Sequence, residues 1–150
     1  MEKRARDAKT GLLYHGYDES WRQAWADPET GRSPSFWGRA VGWYFMALVD
    51  TLDFFPSTHA KRDDLVAILQ RLAEAVAKVQ DPAMGVWWEV LDQGGRQGNY
   101  LESSASCMFA YGKGWNGATS PRTPTSRCAA RASKVFERNL CSPTPTAAWI

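Results

Sequence analysis

Residues 33–56 read SPSFWGRAVGWYFMALVDTLDFFP, a stretch that combines a helix start signal with a helical apolar stripe. Ser33 followed by Pro34 is typical of an N-cap and a first helical position, because proline has no N–H to leave unsatisfied there. Pro56 is expected to end the helix, since its ring cannot continue the hydrogen-bonded ladder. The stripe predicts one buried face, with steps of three or four residues: Val41, Tyr44, Leu48, Leu52 and Phe55.

Two more helices are predicted downstream, which makes the chain all-α in our expectation. The first covers residues 62–79, where leucines and valines recur at helical spacing. The second begins near Asn99 and includes the sequence YLESSASCMFAYG, whose small side chains would allow close helix packing.

An internal repeat precedes the first and the last of these helices. Both copies read Asp-x-x-x-Gly-apolar-x-aromatic-x-x-x-Asp, and they lie 74 residues apart. The glycine predicts a turn, and the residues after it a short extended or hairpin-like arm. Such a unit suits an α/α toroid, of which two copies would form only a part. The copies are Asp7, Gly11, Leu12, Tyr14, Asp18 and Asp81, Gly85, Val86, Trp88, Asp92.

Composition narrows the function classes. A chain of 150 residues suits one domain. No apolar run is long enough to span a membrane, so we expect no membrane association. The N-terminal sequence MEKRARDAKTG lacks the apolar part of an export signal, so we expect a cytoplasmic protein. The three cysteines show neither a CxxC motif nor zinc-type spacing. We therefore expect no metal and no cofactor.

The basic character of the chain is confined to its end. Residues 113–150 hold six Lys or Arg and one acid, whereas residues 1–112 hold 12 basic and 15 acidic residues. A nucleic-acid site needs its cations on a folded face, so we expect no nucleic-acid partner. The end is also rich in Pro, Ser and Thr, which is typical of disorder. We assign residues 1–112 to a folded domain and residues 113–150 to a divergent tail, disordered or read out of frame.

Three motifs make a family resemblance specific. The stretches GLLYHGYDES, WADPETGRSPSFWGRAVGWYFMALVD and GNYLESSASCMFAY resemble glycoside hydrolase family 105, the unsaturated rhamnogalacturonyl hydrolases, over about residues 7–111. This family is related to the family 88 unsaturated glucuronyl hydrolases. The resemblance implies an (α/α)6 barrel, of which this chain would hold a part. It also implies an oligosaccharide substrate whose terminal uronic acid carries a C4=C5 double bond, left by pectin lyases.

The resemblance implies three substrate-binding residues. His15 matches an active-site histidine of the family, although a histidine bonded only to backbone is the simpler alternative. Arg39 and Trp43 match substrate-contacting positions, and their spacing of four places both on one helix face. Arg39 could bind a uronate carboxylate through two N–H groups, and Trp43 could support a sugar ring. A solvated arginine and a core tryptophan are the alternatives, and we expect Trp37 to serve packing.

The remaining ionisable residues favour structural roles. Asp18 and Glu19 are adjacent on an extended arm and therefore point to opposite faces, which argues against an acid–base pair. The recurrence of Asp18 as Asp92 indicates a structural turn bond instead. We expect Glu102 to support helix packing, and the serines that follow it lack the context of a catalytic nucleophile.

The reaction implied by the resemblance is hydration of the double bond. An aspartic acid protonates C4, water adds at C5, and the resulting hemiketal releases the neighbouring sugar. In the family, this aspartate lies in a Trp-x-Asp-x-x-aromatic helix upstream of the histidine motif. The fourteen residues before His15 contain no such motif, so we expect the acid to be absent from this chain. The alternatives are a non-catalytic fragment, either sugar-binding or the product of a pseudogene, and an unsaturated glucuronyl hydrolase.

Overall fold

The described part of the chain is mostly helical. A computed structural model describes residues 2–119, and the side chains of residues 2–112. Three of its helices are 17 residues long, and two very short strands form an antiparallel sheet. In chain order the elements are α1 (Glu2–Ala5), α2 (Gly38–Phe54), α3 (Arg62–Lys78), β1 (Trp87–Trp88), β2 (Leu101–Glu102) and α4 (Ser103–Thr119).

The core lies where α2, α3 and α4 meet. Gly42 allows α2 and α4 to approach closely, because a Cβ at that position would lie 2.7 Å from the sulfur of Met108. Trp87 is fully buried, and its indole N–H donates to the carbonyl of Val76 at 2.8 Å. The largest buried side chains form one continuous cluster, which includes Leu12, Phe45, Leu52, Leu69, Leu72, Trp87 and Phe109.

The predicted start of α2 was wrong. The helix begins at Gly38, and Trp37 rather than Ser33 precedes its first turn. Ser33 is buried, and its hydroxyl accepts the backbone N–H of Gly16, so this serine joins the loop to the arm and does not cap the helix. The predicted end was right. Phe55 has an extended backbone before Pro56, as expected of a residue that precedes proline.

The other helix boundaries show one match and one shift. Helix α3 covers Arg62–Lys78, within one residue of the prediction. Helix α4 begins at Ser103 and not near Asn99, because Leu101 and Glu102 pair with β1 instead. The amide side chain of Asn99 closes the connecting loop by bonding both backbone groups of Val90.

The repeat forms the same turn in both copies. In the first, Asp7 and Gly11 close the turn through backbone hydrogen bonds, and in the second Asp81 and Gly85 make the equivalent bond at the same length of 2.9 Å. Both glycines have φ above 70°, a region that side chains disfavour. A third copy, at residues 27–32, has the same bonds and was not found in the sequence.

The second arm of the repeat pairs with the residues at the start of α2. Trp37 forms a β-bridge with Val90. On either side of this bridge, the N–H of Gly38 donates to the carbonyl of Glu89 at 2.6 Å, and the N–H of Leu91 donates to the carbonyl of Phe36 at 3.0 Å. This backbone pairing places the first turn of α2 directly against the second arm.

The boundary at Gly112 falls inside a helix. Helix α4 continues to Thr119, so the first seven residues assigned to the tail are helical. The rest of that segment lies outside the described residues, and its assignment stays a prediction. None of the helices in residues 2–119 is long and apolar enough to cross a lipid bilayer.

We predict that Gly31→Ala destabilises the chain more than Gly95→Ala. Both glycines have positive φ, so both substitutions incur backbone strain of about 1–2 kcal/mol. A Cβ on Gly31 would also clash with the carbonyl oxygen of Asp18, whereas a Cβ on Gly95 meets no described residue within 4 Å. Urea denaturation should show an additional loss of about 1–3 kcal/mol for Gly31→Ala. Equal losses would contradict the steric argument.

Candidate functional site

Three side chains from separate parts of the sequence meet around Trp37. The ring of His15 lies edge-on to the Trp37 ring, with centroids 5.6 Å apart. The guanidinium carbon of Arg39 lies 5.1 Å from the centre of the Trp37 ring, a cation–π geometry. Trp37 is 39% exposed, so it is a surface residue as well as a packing residue. We call His15, Trp37, Arg39 and the neighbouring Glu89 the Trp37 cluster.

Glu89 joins two members of this cluster through a single oxygen. Its Oε1 accepts the indole N–H of Trp37 and lies 3.2 Å from Nη2 of Arg39. Its Oε2 is buried and accepts no hydrogen bond from the residues that the structure describes. Burial raises the pKa of Glu89; the Arg39 charge opposes this shift, and the Glu102 charge adds to it. The carboxylate is therefore held in place by one cation and one indole.

His15 has one nitrogen fixed by the loop before α2. Its Nδ1 lies 3.0 Å from the carbonyl oxygen of Ser35 and 3.2 Å from the hydroxyl of Ser33. A carbonyl only accepts, so in this contact Nδ1 is the donor. The ring is exposed and borders a cavity of about 440 Å³ that Tyr14 and Tyr17 also line. His15 therefore bonds to the backbone through one nitrogen and also lines this cavity.

Trp43 extends the same surface along α2. It lies one helical turn after Arg39 and is 62% exposed. Within the described part of the chain, Trp43 is therefore a surface residue and not a core tryptophan. Five other aromatic side chains of the described residues are also at least 40% exposed, namely Trp21, Trp25, Phe54, Tyr100 and Tyr111. Such rings provide flat apolar surface of the kind that sugar rings contact.

Asp18 organises the loop that follows the first arm. Its carboxylate accepts the backbone N–H groups of Ser20, Arg22 and Gln23. These bonds lower the pKa of Asp18 to about 2, with the Gln23 amide as the largest cause. Glu19 turns away and forms an ion pair with Arg4. The two acids therefore do not form a pair, and Asp18 has the turn bonds that its sequence context indicated.

Glu102 acts at the start of α4. Its carboxylate accepts the hydroxyl of Ser104 and the backbone N–H of Ala105, an N-cap arrangement that satisfies the first turn. Ser106 donates to the carbonyl of Glu102 and accepts the N–H of Trp87, so its hydroxyl is already engaged.

Within residues 2–119, no group of three or more His, Cys, Asp or Glu side chains could hold a metal ion.

Glu89 was missed from the sequence, although the repeat contains a signal for it. It occupies the position in the second copy that His15 occupies in the first, 74 residues apart. Both residues follow the aromatic position of the motif, and both contact Trp37. An acid within the otherwise apolar run Trp87–Leu91 was a second signal, because a buried acid needs a partner.

The chain matches known proteins along most of its length. The family model described as Glycosyl Hydrolase Family 88 matches residues 1–124. The chain is 50% identical over 101 residues to the 24.9 kDa protein in picA locus of Rhizobium radiobacter, covering 67% of this chain and 42% of that protein. It is 30% identical over 104 residues to the unsaturated rhamnogalacturonyl hydrolase YesR of Bacillus subtilis, covering 69% of this chain and 27% of that protein.

A solved structure has a closely similar fold. It is the family 105 glycoside hydrolase of C. acetobutylicum, with a TM-score of 0.85 and 46% identity. The match covers 91% of this chain and 38% of that protein. The chain therefore spans less than half the length of each of these relatives. The family resemblance expected from the three motifs is confirmed.

We predict that Asp18→Ala loosens the loop after the first arm. Without the carboxylate, three backbone N–H groups lose their acceptor, so trypsin should cut after Arg22 several-fold faster. Glu29→Ala, which removes another exposed acid of the same loop, is the control. Because the folded pKa of Asp18 lies below its ordinary value of 3.8, its contribution is complete above about pH 4 and is lost towards pH 2.

The pH dependence can be read from the amide NMR signals of Arg22 and Gln23. They should shift together between pH 4 and 2 in the wild-type chain and remain constant in Asp18→Ala. Wild-type amide signals that do not move in this range, or equal cleavage of both variants, would contradict the role of Asp18.

Proposed function

Because this chain belongs to glycosyl hydrolase family 88, we propose that it forms a uronate-binding wall of a hydrolase for unsaturated oligosaccharides. The substrate we propose is a galacturonyl-rhamnose oligosaccharide whose uronic acid carries a C4=C5 double bond, as pectin lyases produce. One curated relative is an unsaturated rhamnogalacturonyl hydrolase, which supports this choice. The chain would then be part of an α/α barrel, completed by a region that its longer relatives contain.

The observation that carries the proposal is the exposed cation on an aromatic platform. The side chain of Arg39 is 44% exposed, and its guanidinium lies across the Trp37 ring. A guanidinium has five N–H donors, and only one of its nitrogens contacts Glu89. The remaining donors are available for a uronate carboxylate in a two-bond geometry. His15, from the first arm, and Trp43, one turn further along α2, would complete the wall.

Hydration of the double bond would need a proton donor for C4 and a water for C5. Asp18 does not suit the donor, because its lowered pKa keeps it ionised and its oxygens bind backbone N–H groups. Glu89 does not suit it either, because Oε1 is engaged and Oε2 is buried. We therefore propose that His15, Arg39 and Trp43 bind and orient the uronate, and that another aspartate of the whole protein donates the proton.

One experiment separates hydrolysis from binding alone. The purified chain is mixed with unsaturated galacturonyl-rhamnose, and binding is followed by calorimetry while the absorbance of the double bond reports turnover. Binding without turnover supports the proposed wall. Turnover by this chain would show that it contains its own acid. The absence of binding to this sugar, with binding to the unsaturated glucuronyl analogue, would assign the chain to the glucuronyl class instead.

We predict that Arg39→Ala weakens binding of the unsaturated disaccharide by about tenfold. A charge-assisted hydrogen bond contributes about 1.5 kcal/mol at the lower end of its range, and the exposure of Arg39 favours that end. Arg71→Ala is the matched control, because Arg71 is also half-exposed and paired with an acid, Glu2 on α1. Calorimetric titration measures both. Equal affinity of the Arg39→Ala and Arg71→Ala chains would remove Arg39 from the site.

A further inference from the structure

Glu89 has an arrangement that a purely structural acid does not need. One of its oxygens serves both Trp37 and Arg39, while the other is buried and has no donor among residues 2–112. Burying a carboxylate with one unsatisfied oxygen costs free energy, so packing alone does not account for an acid here. The side chain of Glu89 is only 10% exposed, whereas that of Arg39 is 44% exposed. The acid therefore lies beneath the cation.

We propose that Glu89 is a positioning and specificity-determining residue, which holds Arg39 across Trp37 and sets how strongly Arg39 attracts a ligand carboxylate. This inference rests on the proposed uronate binding. As an acceptor, Glu89 fixes the indole of Trp37 and one nitrogen of Arg39. As a negative charge, it offsets part of the Arg39 charge and repels an incoming carboxylate. Glu89 therefore makes two separable contributions to ligand binding, one through its hydrogen bonds and one through its charge.

The two contributions predict different effects for two substitutions. Glu89→Gln keeps an oxygen acceptor of the same shape and removes the charge, so geometry remains and repulsion is lost. The affinity for the unsaturated disaccharide should then rise about threefold to tenfold at pH 7, as expected for one like charge nearby in a half-exposed site. Glu89→Ala also removes the acceptor, so it should bind less tightly than Glu89→Gln.

The charge contribution also predicts proton uptake on binding. A ligand carboxylate beside Glu89 raises the pKa of this acid further, because two like charges disfavour ionisation. The charged groups that act on Glu89 are Arg39 on α2 and Glu102 before α4, and burial already favours its protonated form. Binding to the wild-type chain should therefore take up protons and tighten as the pH falls from 7 to 5. The Glu89→Gln chain should take up fewer protons at pH 5.

Calorimetry of the full chain in two buffers of different ionisation enthalpy measures affinity and proton uptake together. Glu74→Gln on the exposed face of α3 is the matched control, and the methyl ester of the sugar tests the role of ligand charge. We expect Glu89→Gln to tighten binding of the acid and to change binding of the ester less than twofold. The Trp37 indole N–H signal in an NMR spectrum of each variant reports whether the cluster remains folded.

The outcomes distinguish this proposal from the proposed function. If the wild-type chain binds the disaccharide but Glu89→Gln leaves its affinity within twofold, or weakens it with the Trp37 signal unchanged, the role of Glu89 is wrong while uronate binding stands. If acid and ester respond equally, the charge contribution is wrong. If the wild-type chain binds no uronate, the proposed function fails, and the role of Glu89 fails with it.

Discussion

The short backbone pairing between residues 36–38 and 89–91 is the contact on which the site depends. It fixes the first turn of α2 against the second arm through the bridge between Trp37 and Val90. Strand pairing alternates side chains between faces, and here it brings Glu89 to the indole of Trp37. The positions of Arg39 and Trp43 then follow from the helical repeat. Residues separated by more than 50 positions in sequence thus become neighbours through a few backbone bonds.

The sequence predicted the helical class and most of the helices, because apolar periodicity records burial directly. It failed at the start of α2 and of α4. In both places a segment with good helix signals pairs as a strand instead, and such long-range pairing leaves no local signature. Ser33 illustrates this: its local context is that of an N-cap, yet tertiary packing directs its hydroxyl to the first arm.

The candidate site was partly predictable for the same reason. His15, Arg39 and Trp43 came from a family resemblance, which carries residue identity but not contacts. The structure brings both His15 and Arg39 to the indole of Trp37, and it gives Trp37 a central place that packing alone did not suggest. Glu89 escaped notice because an isolated acid has no periodicity. Glu89 takes the place of His15 in the second copy of the repeat, and this correspondence could have identified it from the sequence.

The Asp-x-x-x-Gly turn, present three times, also bears on the order in which the molecule assembles. Each copy closes over about six residues with its own backbone and carboxylate bonds, so the entropy lost on closure is small. Closing loops of this size takes well under a microsecond, at about 10–100 ns for ten residues. The pairing of the second arm with residues 36–38 joins segments far apart in the chain and must be slower. The second arm can therefore take its shape before it pairs with residues 36–38, which reduces the search to the docking of a preformed turn.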